Sequence, residues 1–458
     1  MKRRYYMIGI ALIWGLSLQA QQGLTLEQVK QLALEHNINM RTADNSIQQA
    51  IEQKKEAYTL YFPTVSAVGL GFKTNHDMLK KNISTSDLTS SLTQTISQNP
   101  SLAALAPTLA PLMQMIPSTI PIGLMNHGVM TGIQAVQPVY AGGRIMNGNK
   151  LAKVNVDVKQ LQRLTSKNAV ELQSEQYYWQ IVTLEEKQIT LNEIFKMLKN
   201  LEKDAGMAVK AGVGMRNDLL AVQLKENEIE SNQIKLENGL KLSKMVLAQY
   251  LGLDGQDIDV ISKIDMTKMP DYPTIKVDHN RVVASTPEYQ LLQRNVEAKT
   301  LQRKIEIGKN MPTVSIGAGY NYFNVGDGLN NNFGAVFATV SIPISSWWGG
   351  SHAIRRRELA EVNAKEQLVD NTQLLKIRMQ KNWNDVDAAY KQLLLAKKSI
   401  EQSNENLRLN RNYYHAGTVT MNDLLDAQQK YQQCRDKYTD AYSDLQTRIL
   451  EYKQSVGE

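Results

Sequence analysis

At 458 residues the chain has room for two or three ordinary domains or for one long repeated architecture. Its formal charge of +7 includes Lys2, Arg3 and Arg4 at the N-terminus; the remaining +4 (7 − 3) is spread thinly, with no basic run interleaved with aromatics, which argues against nucleic-acid binding. Aromatics at 7% and an abundance of Gln, Asn, Lys and Glu suit long helices with narrow apolar seams, and a single cysteine, Cys434, excludes an internal disulfide framework.

The chain opens with MKRRYYMIGIALIWGLSLQAQQG. A basic start, a short apolar run and Leu18-Gln19-Ala20 give residues 1–20 the pattern of a secretory signal peptide. A membrane anchor is the alternative, but the run is short and Gln19, Gln21 and Gln22 end it abruptly. No cysteine follows the expected cut, so an exported, unlipidated chain is expected.

Residues 21–251 read as a first structural repeat. A helix starts after Thr25, where Thr25 and Gln28 make a capping-box pattern, and runs toward Tyr61; Pro63 marks the change to strand. Strands are expected near 63–73 and 128–140, on either side of a 73–127 loop. A long helix from about Gly143 to Ala211, a tip at 211–218 and a helix to Leu251 follow. Residues 252–278 are a linker. Residues 279–458 repeat the plan: a helix to Lys309, strands near 312–323 and 333–345, a long helix from about Gly350, a tip at 416–423 and a last helix. Each long helix measures roughly 100 Å, and the helix after each tip about half that, so two short helices end to end match one long one.

Three sequence echoes support the repeat. PTVSAVGLG at Pro63 returns as PTVSIGAGY at Pro312; QPVYAGGRI at Gln137 resembles IPISSWWGGSHAI at Ile342; AGVGMRNDLLAVQ at Ala211 returns as AGTVTMNDLLDAQ at Ala416. The tip segments share seven of thirteen positions at an offset of 205 residues. The first echo has an offset of 249, so the first half carries an insertion of about 44 residues between Phe72 and Gly128. From Ser101 to Met125 that insertion has no charged residue, but Pro107, Pro111, Pro117 and Pro121 oppose a spanning helix. It is expected to be a long extracellular loop.

In the last helix Leu424, Tyr431, Tyr438, Leu445 and Tyr452 recur every seven residues, with Ala427, Cys434 and Ala441 in the other register, a coiled-coil stripe in which Cys434 is a packing residue. The strands alternate. Val314, Ile316, Ala318, Tyr320 and Tyr322 share one face against Ser315, Gly317, Gly319 and Asn321; Val336, Ala338, Val340 and Ile342 stand against Ala335, Phe337, Thr339 and Ser341. One apolar and one small or polar face over about ten residues suits a transmembrane barrel. The alternative, a soluble sandwich, is disfavoured because four strands cannot bury both faces of anything, and closure of even a small barrel takes about eight. Several copies are therefore required. Tyr140, Trp347 and Trp348 lie just past strands, where an interfacial aromatic girdle is expected.

The six histidines, at 36, 76, 127, 279, 352 and 415, have no partner at metal-ligand spacing, and no nucleophile elbow, phosphate loop or paired-cysteine motif occurs. No catalytic residue, cofactor or metal is expected. In each tip a glycine, Gly212 or Gly417, stands where a long helix must stop, and Asn217-Asp218 or Asn422-Asp423 offers an oxygen to cap the next helix.

The ordered set LTLEQVKQLALEHN, QPVYAGGRI, VVASTPEY, SIPISSWWGG and YHAGTVTMNDLLDAQQKY resembles the outer-membrane efflux protein family, the TolC-like channels, over nearly all of the mature chain. The resemblance implies an α+β membrane protein: a homotrimer in which each chain lends four strands to a twelve-stranded outer-membrane β-barrel, continued by a long periplasmic α-helical barrel built from two tandem repeats. It implies a passive exit duct, with a periplasmic adaptor, an inner-membrane RND or ABC transporter and outer-membrane lipid as partners. Tyr414, Asp423 and Asp426 match family gate positions on the inner tip, and Asp218 the acidic latch on the other. Gly212, Leu219, Leu220, Gly417, Leu424 and Leu425 are the expected tip framework for the adaptor. Where the family's best-known members carry an arginine this chain has Val419; either Arg216 is the replacement cation or closure rests on Tyr414 and packing alone. Type I secretion of protein or peptide uses the same plan. An exported coiled-coil scaffold without a pore is the competing class; the alternating strands and their terminal aromatics argue against it.

Overall fold

The computed structural model describes residues 23–76, 79–98, 113–124, 126–261, 264, 268–325, 329–344 and 346–458. The signal-peptide segment 1–20 lies outside the described residues, as does 99–112 of the insertion. The chain divides into two compact units, each drawing on both halves of the sequence: a helical unit of 1–54, 151–300 and 359–458, and a sheet unit of 55–150 and 301–358.

In chain order the helices are α1 (Leu26–His36), α2 (Ile38–Thr59), α3 (Ser86–Gln98), α4 (Arg144–Lys210), α5 (Arg216–Tyr250), α6 (His279–Val282), α7 (Pro287–Lys309), α8 (Ser346–His415) and α9 (Met421–Val456). The Thr25–Gln28 capping box starts α1 as expected. The single helix expected to follow it is broken at Asn37, whose extended ψ of 137° stops the helix. Asn37 Nδ2 donates to Tyr250 O at 3.1 Å and its Oδ1 accepts from Asn39 N at 2.9 Å, so one buried side chain caps the new helix and ties it to α5. The second repeat breaks likewise. A 3-10 turn (Val283–Ser285) and the extended, fully buried Thr286 separate α6 from α7. The first break is set by a long-range bond, whereas Pro287 at the first position of α7 is a local mark of the second.

The core of the helical unit joins Val29 and Ala33 of α1, Tyr178, Trp179, Ile181 and Val182 of α4, Leu247 of α5 and Leu251 just after it, Trp383 and Val386 of α8 and Tyr438, Leu445 and Tyr452 of α9. The heptad stripe of α9 is therefore the buried seam, and Cys434 is half-buried beside it. Irregular residues after α5 are pinned onto this core. Leu24 pairs with Val260 as a parallel bridge, Tyr178 Oη donates to Ile261 O at 2.8 Å, and Tyr452 Oη accepts from Val277 N at 3.1 Å. Lys30 Nζ lies 2.6 Å from Glu175 Oε2 inside the core, and Trp179 Nε1 donates to the same carboxylate at 3.2 Å.

The sheet unit holds β1 (Thr64–Lys73), β4 (His127–Ala141), β5 (Thr313–Val325) and β6 (Leu329–Ser341) in one antiparallel sheet of that order. The two strands from each half of the chain meet at the β4–β5 pair, and β1 and β6 are unpaired edges. The 73–127 insertion is more than the expected loop. It contains a hairpin of β2 (Leu79–Ser84) and β3 (Thr119–Leu124), with α3 between them. Pro121 sits inside β3 opposite Asn82, which a two-stranded sheet tolerates because both of its strands are edges. Between β4 and α4 the chain turns at Gly142, with φ +60°, and a Cβ there would stand 2.4 Å from Gly308 O. The glycines of QPVYAGGRI are thus set by a left-handed turn and by backbone-to-backbone approach.

Candidate functional site: the hairpin tips and the exposed sheet face

The two tips are built alike. After α4, Gly212 N donates to Val209 O at 3.1 Å and Val213 N to Ala208 O at 3.0 Å; after α8, Gly417 N donates to Tyr414 O and Thr418 N to Tyr413 O, both at 2.9 Å. This is the Schellman pattern, and it needs the left-handed φ of +75° at Gly212 and +74° at Gly417. Nothing lies within 4 Å of a Cβ built on either glycine, so backbone strain alone enforces the residue type. Gly417→Ala should therefore raise the energy of the turn by about 1 kcal/mol without a clash, seen as faster amide exchange over the tip.

The caps differ from the sequence expectation. Neither Asn-Asp pair supplies an N-cap. Met215 caps α5 without a side-chain bond, and Thr420 caps α9. Thr420 Oγ1 accepts from Asp423 N at 3.2 Å, while Asp423 Oδ2 accepts from Thr420 N at 2.9 Å and from its hydroxyl at 2.6 Å. These bonds hold the Asp423 carboxyl below its ordinary pKa. The Thr-x-x-Asp spacing was a legible signal for this cap.

Below the tips both hairpins share one apolar cluster: Leu191, Ile194, Leu198, Leu201 and Ala205 of α4, Val222 and Ile229 of α5, and Met421, Leu424 and Leu425 of α9, with Leu219, Leu407 and Tyr414 packed against it. Leu424 and Leu425 are buried in this cluster, Leu219 is half-buried, and Leu220 is exposed together with Val213 and Met215. Ion pairs flank it: Lys187 to Asp440 at 2.7 Å, and Arg435 to Glu193. Tyr414 and Asp218, from different hairpins, are brought together. Burial, then the charges of Asp218 and Asp204, raise the Tyr414 hydroxyl above its ordinary pKa. Asp426 and Arg216 are exposed, and among the described residues Arg216 makes no ion pair. Val419 is half-buried.

The strand faces follow from register. Val65, Val129, Ile133, Ile316, Tyr320, Val336 and Val340 stand on one face of the sheet, all exposed, and Val336 is 88% exposed. Ser66, Gly132, Gln134, Gly317, Gly319, Asn321, Ala335 and Thr339 stand on the other, mixed with Val68, Leu70 and Phe337. A bulge between Pro138 and Tyr140 adds one residue to β4. Even-numbered residues before it share the small, polar face, but Tyr140 pairs with Val314 and so joins the apolar one. Strict alternation misplaces Tyr140; the proline, which donates no ladder bond, was the available signal. Trp347 and Trp348 in the first turn of α8 are exposed as well, and Trp347 Nε1 donates to Asn310 O at 3.1 Å. No helix among the described residues is long and apolar enough to cross a membrane. Among the described residues no three His, Cys, Asp or Glu side chains cluster to hold a metal.

The model of the outer membrane efflux protein family matches residues 280–458. No match is found among curated proteins. Solved structures with the same fold include VceC of Vibrio cholerae, an outer membrane protein, at 13% identity and a TM-score of 0.71, covering 94% of this chain and 96% of that one. The CmeC outer membrane channel of Campylobacter jejuni has 12% identity and a TM-score of 0.71, covering 94% and 85%. The open-state MtrE outer membrane channel of Neisseria gonorrhoeae has 14% identity and a TM-score of 0.71, covering 94% and 88%. The second part of the chain thus matches the model of the outer membrane efflux protein family, and 94% of the chain shares the fold of these outer membrane channel structures.

Proposed function

We propose that three copies of this chain form a passive efflux duct, in which twelve strands close a barrel and the helices continue it as a periplasmic tunnel. A periplasmic adaptor and an inner-membrane RND or ABC transporter would supply opening and energy. The observation that carries this reading is the four-stranded sheet, with one exposed apolar face and two unpaired edges, β1 and β6. An open apolar edge in lipid leaves backbone donors and acceptors unpaired, and closure by identical copies removes every edge.

The tips form the gate. The charge of Asp218 acts on Tyr414 across the two hairpins, and exposed Val213, Met215, Leu220 and Arg216 present the first tip to the adaptor, while Leu219, Leu424 and Leu425 with Gly212 and Gly417 are the framework behind it. Three-fold symmetry would gather three Asp426 carboxylates near the axis, where they attract cations. Asp423 is already engaged in its cap, so Asp426 is the cleaner probe. The expected result is that purified oligomers conduct in planar bilayers with cation preference and that Asp426→Asn weakens the preference. A monomer soluble without detergent that carries no current would refute the duct; unchanged selectivity would refute the charge ring alone.

A further inference from the structure

The two hairpins superpose in sequence without a gap: α4 and α8 end at Lys210 and His415, and α5 and α9 begin at Arg216 and Met421. The same offset of 205 makes Gln428 the counterpart of Gln223 and Leu407 the counterpart of Glu202. In the first hairpin Gln223 and one oxygen of Glu226 are paired. Gln223 Nε2 donates to Glu202 Oε1 at 3.0 Å, and Lys199 Nζ reaches Glu226 Oε2 at 2.8 Å. In the second hairpin Leu407 replaces the acceptor, while Asn404 and Tyr431 stand where Lys199 and Glu226 would be. Gln428 is fully buried, and neither its Oε1 nor its Nε2 has a hydrogen-bond partner. Lys225 Nζ donates to Gln429 Oε1 at 3.1 Å, which sets the Lys225–Glu226 step of α5 level with the Gln428–Gln429 step of α9. Glu226, 5% exposed, also keeps Oε1 without a partner. A polar step thus interrupts a seam otherwise built from Val222, Ile229, Leu424 and Leu425.

We propose that Gln428 is the built-in weak point of the hairpin seam and sets how readily the second hairpin splays from the first. A buried amide without partners raises the energy of the closed seam, and water satisfies it once α9 moves away, so the difference favours opening. Gln223, its counterpart in the first hairpin, is paired with Glu202, so this amide defect belongs to the second hairpin alone. A polar residue in an apolar helical seam exchanges stability for control of pairing in the same way. The consequence for gating rests on the duct reading above; the splaying itself does not.

The test compares full-length oligomers in detergent: wild type, Gln428→Met, which keeps the length of the side chain and removes the amide, and Leu407→Glu, which restores the acceptor that Glu202 provides. Amide exchange over residues 421–430 is expected to slow about tenfold in both variants, the size of one unpaired buried amide, with no change around Leu445. Unchanged exchange over 421–430, or equal slowing at Leu445, overturns the proposal. Open-state occupancy in planar bilayers is expected to fall by a similar factor. Slowed exchange with unchanged occupancy keeps the weak seam and removes the tip gate from the duct reading.

Discussion

Ile133→Lys is expected to abolish stable insertion, while the adjacent Gln134→Lys is expected to be tolerated. Ile133 lies in β4, opposite Ala67 of β1 and Tyr320 of β5, on the face that carries Val336 and Val340. Gln134 lies opposite Ser66 and Gly319 on the other face. In a barrel the first face meets hydrocarbon and the second meets water. A lysine near the bilayer midplane costs about 2–4 kcal/mol, and one in a wet lumen costs little. Three copies multiply the penalty in a trimer. The measurement is the fraction of each variant recovered from outer membranes as a heat-modifiable oligomer. Equal recovery would show that the apolar face does not meet lipid, and the reverse order would turn the sheet inside out.

The second large effect lies in the core of the helical unit. Lys30→Met is expected to destabilise that unit by about 3–5 kcal/mol, because it strands a buried carboxylate. Glu175 is 4% exposed, and after the change only Trp179 Nε1 would address it. Lys30→Met with Glu175→Gln is expected to recover most of the loss, since a neutral amide still accepts from the indole and carries no charge to desolvate. Lys187→Ala removes the Lys187–Asp440 pair, whose aspartate side chain is 54% exposed, and should cost below about 1 kcal/mol. Urea midpoints of the helical signal in detergent order the three variants. A double variant no better than the single one would mean that Lys30 acts through packing and not through its charge.

How far the sequence could be read depended on the range of the forces involved. The tip glycines were legible because a left-handed φ is a local demand of the backbone, and so was the Thr25–Gln28 cap. The apolar stripe of α9 and the strand faces were legible because helical and pleated periods are local geometry. Asn37 was not, since a polar residue between two amphipathic runs gives no local sign that it will bond to Tyr250, more than two hundred residues away. The hairpin in the insertion was missed because its prolines argue against a spanning helix without saying what forms instead. Among the tip residues the sequence grouped Tyr414, Asp423 and Asp426 on one tip and set Asp218 on the other. The structure divides the first group: Asp423 is committed to the Thr420 cap, while Asp426 is exposed.

By itself, then, the order of residues determined the repeat, the alternation of the strands, the heptad seam and the two turn motifs, because each is written within a window of a few residues or copied 205 residues later. Only the assembled chain decided the rest. The bulge beside Pro138 turns Tyr140 to the apolar face, the Leu407 opposite number leaves Gln428 buried without a partner, and Leu424 and Leu425 go inside while Leu220 stays out. Each of these depends on which side chain from a distant segment arrives beside it, and burial and hydrogen-bond satisfaction are properties of that neighbourhood and not of the local sequence.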